Sequence, residues 1–95
     1  MTVIWKYTLP DVEVTFDIPA GSTLLDVHTQ DGAPCLWFEV NLKVPPAPRR
    51  FVLIGTGHEP PGHGHAYRGT CHDVAGLGLV MHVYEDVRAI SAGIA

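Results

Sequence analysis

Six histidines, at positions 28, 58, 63, 65, 72 and 82, are the residues of this chain best equipped for chemistry. His63 and His65 stand two apart in Glu59-Pro60-Pro61-Gly62-His63-Gly64-His65, a run whose prolines and glycines keep it out of regular structure. In an extended segment, side chains two apart project to one side, so this pair offers two ligands to zinc, copper or iron. A third is available from His58, Cys71 or His72. The resulting candidate set for a divalent metal is His58, His63, His65 and His72. The plainer reading of the same residues is a polar surface loop, because a catalytic metal centre needs three protein ligands in fixed geometry.

Gly57-x5-His63-x-His65 is similar to the opening of the metal motif of the cupins, a β-barrel family. That motif continues with a glutamate four or five positions on, where this chain has Gly69 and Thr70. The second cupin motif, with its proline, glycine and third histidine, is absent. The likeness stops at its first two ligands.

Other chemistries find less. Gly55-x-Gly57 leaves an uncluttered backbone, but a phosphate cradle wants a helix N-terminus and usually a lysine, and Pro60-Pro61 follows instead. Cys71 and His72 are adjacent, so a strand sends them to opposite faces and they cannot act as nucleophile and base. Ser22 and Ser91 lack a supporting motif, and the carboxylates are dispersed. The checklist of an active site stays unfilled, and a non-enzyme without a cofactor is expected, the metal above being the one exception in view.

Period-two alternation supplies the elements that must position these residues. Residues 12–18 set Val12, Val14, Phe16 and Ile18 against Glu13, Thr15 and Asp17, the pattern of a half-buried antiparallel strand. Residues 3–9 alternate similarly, and the turn at Pro10-Asp11 predicts a hairpin between the two. Residues 23–30 and 34–42 flank Asp31-Gly32, a strong hairpin signal. On the fourth strand Leu36, Phe38, Val40 and Leu42 line one face, while Cys35, Trp37 and Glu39 line the other. Lys43 to Arg50, with three prolines, predicts an exposed extended connection. Residues 51–57 are apolar on both faces and predict a central strand; 67–74 and 79–85 complete the set. His82 falls between Val80 and Tyr84, the setting of a satisfied, partly buried histidine rather than a ligand.

Together these predict an all-β domain over residues 1–85: a small antiparallel sandwich or partly open barrel of about seven short strands, with no long helix. Residues 86–95 predict a C-terminal tail, disordered or an oligomer contact. In a chain of 95 residues with net charge −4, the six basic residues are scattered apart from Arg49-Arg50, so nucleic acid is not expected as a partner. No apolar run approaches the ~20 residues of a membrane span, and the N-terminus lacks signal-peptide features. Cys35 and Cys71 are expected as buried free thiols in an intracellular setting.

Ile4-Trp5-Lys6-Tyr7, Pro19-x-Gly21, Gln30-x-Gly32-x-Pro34-Cys35-Leu36-Trp37, Arg50-Phe51, Gly55-Thr56-Gly57-His58, Tyr67-x-Gly69-Thr70 and Val80-x-His82-Val83-Tyr84-Glu85 share one further property. Over about residues 3–85 the chain resembles a family of small proteins of unknown function encoded by tailed bacteriophages and prophages. His63, His65 and the segment after Asp86 fall outside the shared pattern. The resemblance implies a viral origin and the host cytoplasm as location. It carries no activity, so no catalytic residues transfer.

The functional expectation is a non-enzymatic phage protein that binds a host or phage protein, or a small molecule, in the infected cell, with modulation of host defence as one outcome. Trp37, Gly55, Thr56, Gly57, His58 and Tyr67 form its candidate surface; Trp37 is either core or an exposed anchor for a partner. A virion component, such as a decoration or minor tail protein, is the alternative, and a histidine-based metal protein a second. A homo-oligomer is compatible with each.

Overall fold

The computed structural model describes residues 1–88. Its regular elements are seven strands: β1 (Thr2–Thr8), β2 (Glu13–Pro19), β3 (Thr23–Gln30), β4 (Ala33–Asn41), β5 (Pro46–Gly55), β6 (His65–Val74) and β7 (Leu79–Asp86). They form two antiparallel sheets, β1-β4-β3 and β2-β5-β7-β6, which face one another and do not close into a barrel. The chain is therefore a β-sandwich.

Alternation makes the core. Leu36, Phe38 and Val40 point inward from β4 and are fully buried, and Ile18, Phe51 and Val83 meet them from the other sheet. Aromatic rings bridge the layers: Tyr7 lies 5.1 Å from Phe16, and Phe38 lies 6.1 Å from Phe51, tilted or edge-on as ring quadrupoles prefer.

The predicted hairpin between 3–9 and 12–18 does not form. β1 pairs with β4 and β2 with β5, and Pro10-Asp11-Val12 carries the chain from one sheet to the other. A hairpin would set the stripes of β1 and β2 side by side on one layer. Crossing over sets them face to face, which buries both. Leu53 N–H donates to the Val12 carbonyl at 2.8 Å and fixes the crossing.

The Asp31-Gly32 hairpin forms as expected, with φ of 52° and 78° at its two central residues. Both angles are positive, as a primed two-residue turn requires.

Lys43 to Arg50 is only partly a connection, because β5 begins at Pro46. Pro46 and Pro48 lie opposite Pro19 and Asp17 of β2, while β7 pairs with β5 only from Arg50 to Gly55. The prolines thus occupy an overhang with one open side, where a missing N–H breaks no ladder. Residues 86–88 join the fold: Asp86 ends β7, and Val87 N–H donates to the Gly64 carbonyl at 2.8 Å. Residues 89–95, the rest of the expected tail, lie outside the described residues.

Candidate functional site

The end of β5 builds the site. Gly55 is its last residue, opposite Met81, and Thr56 N–H extends the pairing by donating to the Val80 carbonyl at 3.2 Å. Gly57, at φ 92°, then turns the chain, and His58 N–H closes the turn on the Gly55 carbonyl at 3.1 Å. The His58 ring lies over Gly55. A Cβ at position 55 would stand 3.2 Å from His58 Cδ2 and 3.7 Å from Met81 Sδ, so the glycine keeps room for the ring.

His82 projects from β7 on the outer face of the four-stranded sheet, because Val83 and Glu85 take the inner positions. Register places it opposite Ile54 on one side and Thr70 on the other. Both ring nitrogens are engaged: Thr56 Oγ1 lies 2.9 Å from Nε2, and Thr70 Oγ1 lies 3.0 Å from Nδ1. The Tyr67 hydroxyl hydrogen-bonds Thr70 Oγ1 in turn, and the Tyr67 ring packs edge-on against Tyr84 at 5.6 Å. A chain of polar groups thus runs across β5, β7 and β6 from Thr56 to Tyr67. His82 is satisfied and half-buried, as its sequence setting predicts.

Beside this chain lies a cleft of about 700 Å³. Val12, Leu53, Ile54, Leu79, Val80 and Met81 give it apolar walls, and Gly55, Gly78, Thr56 and His58 complete the lining with one hydroxyl and one imidazole. Thr56 belongs to both the cleft and the hydrogen-bonded chain, and so joins them.

Of the residues expected at a binding surface, Gly55, Thr56 and His58 line this cleft, Gly57 turns the chain beside it, and Tyr67 reaches it through Thr70 and His82. Trp37 does not. It sits half-buried on the outer face of the other sheet, in register with Lys6 and Asp26.

The candidate metal ligands are not gathered. His65 opens β6 with its Nδ1 3.3 Å from the His63 carbonyl, while His58 and His72 are exposed elsewhere. Among the described residues, no three of His, Cys, Asp and Glu converge on a point that could hold a metal ion.

A second polar cluster centres on Glu85, which ends the motif Val80-x-His82-Val83-Tyr84-Glu85, and draws its partners from positions that the shared motifs do not specify. Glu85 is 1 % exposed and accepts two hydrogen bonds from Arg49, at 2.7 and 2.8 Å, and one from Arg68 at 3.0 Å. Arg49 also donates to the Ser22 carbonyl at 2.7 Å and stacks over Phe38, its guanidinium carbon 4.8 Å from the ring centre. Burial pushes the Glu85 carboxyl up, and the bonds and charges of Arg49 and Arg68 overcome it, holding it below the ordinary range. Besides that motif the sequence signal was parity, since Glu85 falls on the same side of β7 as Val83. A cleft of about 450 Å³ opens beside Arg49 and Arg68, with Asp26 and Tyr67 also lining it.

Cys35 and Cys71 are free and buried, as expected. Burial pushes the Cys71 thiol up.

The chain belongs to the family described as Domain of unknown function (DUF7352), whose model matches residues 1–92. No curated protein and no solved structure matches it.

Proposed function

We propose that the chain is a non-enzymatic binding module that receives an apolar group in the cleft beside Gly55-Thr56-Gly57-His58. The observation that carries this reading is the composition of the cleft. Its volume of about 700 Å³ falls within the ~300–1,000 Å³ of small-molecule sites, and its lining is apolar with a few polar groups that can fix orientation.

The same geometry argues against catalysis. Thr56 and His82 make the hydroxyl–imidazole contact from which nucleophilic catalysis starts. The group on the far nitrogen, however, is the neutral Thr70 hydroxyl and not a carboxylate that would stabilise an imidazolium. Among the described residues, no carboxylate, thiol or lysine lines the cleft.

The setting we propose, a phage-infected bacterial cell with a host protein or small molecule as target, rests on the sequence resemblance. Pull-down from bacterial lysate tests the reading, with retained proteins and small molecules both identified. Leu79→Arg is the contrast, because Leu79 lines the cleft and is 48 % exposed, so the charge changes the cleft without opening the core. The wild type should retain a protein or small molecule that Leu79→Arg loses. Identical recovery by both sinks the reading.

A further inference from the structure

Four strands border the two sheets: β1 and β3 in one, β2 and β6 in the other. An edge strand presents unpaired N–H and C=O groups, and natural sheets guard it with bulges, charges, proline or a covering element. β3 is irregular between Leu24 and Asp26, β6 between Tyr67 and Gly69, and the two lie against each other where Gly69 meets Val27. β2 carries Glu13 and Asp17 and ends in Pro19. Among the described residues β1 is the least guarded of the four, with Lys6 as its one protecting charge. Its seven residues run in unbroken register with β4, include no proline or glycine, and leave Ile4 62 % and Trp5 44 % exposed.

We propose that β1 is a self-association edge, on which a second copy of this chain pairs antiparallel about a two-fold axis and joins the two β1-β4-β3 sheets into one. The strand's own pattern names the occupant. Pairing centred on Trp5 sets Trp5 against Trp5, Ile4 against Lys6 and Val3 against Tyr7. Odd positions meet odd positions, so the core-facing side of one copy continues that of the other. No like charges face each other, and the two exposed indole rings meet at the axis. The contact is isologous and closed, since each copy uses up its own β1 in it.

Sedimentation velocity of the full chain over a concentration series tests this, with deuterium exchange of the β1 amides as a second readout. The wild type should dimerise as concentration rises, and its β1 amides should gain protection in parallel. Ile4→Lys sets two ammonium groups opposite one another on each side of the axis and should weaken the dimer about tenfold or more. Ile4→Lys/Lys6→Glu sets ammonium opposite carboxylate and should restore it. Thermal melts of both variants check that they fold, as expected for positions this exposed. A wild type that stays monomeric throughout, a dimer untouched by Ile4→Lys, or a double variant no tighter than the single one overturns the proposal. So does β1 protection that arises only with a foreign strand bound.

Discussion

Thr56 Oγ1 lies 2.9 Å from His82 Nε2, and this contact ties the end of β5 to the middle of β7. With Thr70 on the other ring nitrogen, one hydroxyl just past the end of β5 and one on β6 depend on a single imidazole. Thr56→Val and Thr70→Val should each cost about 0.5–1.5 kcal/mol, the net worth of a hydrogen bond. The double variant should depart from the sum by about 0.5 kcal/mol or more, since both act through His82. Urea denaturation of the four proteins of the cycle measures this. Additive costs would mean that the hydroxyls are not linked through the ring.

Glu85 makes stability depend on acid. Its carboxyl is held below the ordinary range in the folded chain, so its contribution is complete above that range and is lost as pH falls through it. Asp86, held low chiefly by its hydrogen bond from Arg88, acts in the same direction. The urea midpoint should therefore stay level from neutral pH to about pH 5 and fall below it. Glu85→Gln leaves Arg49 and Arg68 without their shared anion and should cost about 3–5 kcal/mol at pH 7, with a shallower acid slope. Wild-type stability and an unchanged slope in Glu85→Gln would remove the ion cluster from the account.

Gly69 sets how closely the two sheets approach along the β3–β6 side. A Cβ there would stand 2.7 Å from Val27 Cβ, nearer than packed atoms come. Gly69→Ala should destabilise by about 1–3 kcal/mol, the range for overpacking. Val27→Gly, which removes the facing Cβ, should return part of that loss in the Gly69→Ala background while costing stability by itself. Two independent penalties that simply add would show that β3 and β6 do not touch here.

Local signals carried much of this fold. The stripes Val14-Phe16-Ile18 and Leu36-Phe38-Val40 alternate strictly, and that alternation is the inward face of each strand. Asp31-Gly32 encodes its turn in two residues. Whether β1 turns back onto β2 or crosses to the other sheet depends instead on which strands lie beside and across from them, and Pro10-Asp11 allows either. The prolines before Arg50 misled for a related reason: they exclude a central position, but not an overhang paired on one side.

The site divides along the same line. Gly55-Thr56-Gly57-His58 is contiguous and visible as a motif, and its turn is local. Thr56, His82, Thr70 and Tyr67 come together only through the register of β5, β7 and β6, which no spacing along the chain displays. Glu85 could be read only as a charge on an apolar strand until Arg49 and Arg68 arrived from two others.

The most direct test of the binding cleft is a titration of the ¹⁵N-labelled chain with small apolar fragments that each carry one hydrogen-bonding group, followed by amide chemical shifts. Shifts should concentrate on Gly55, Thr56, His58, Leu79, Val80 and Met81, and should vanish in Leu79→Arg. Shifts confined to Trp37 or to the Arg49–Arg68 cleft, or no shifts at all, would contradict the account.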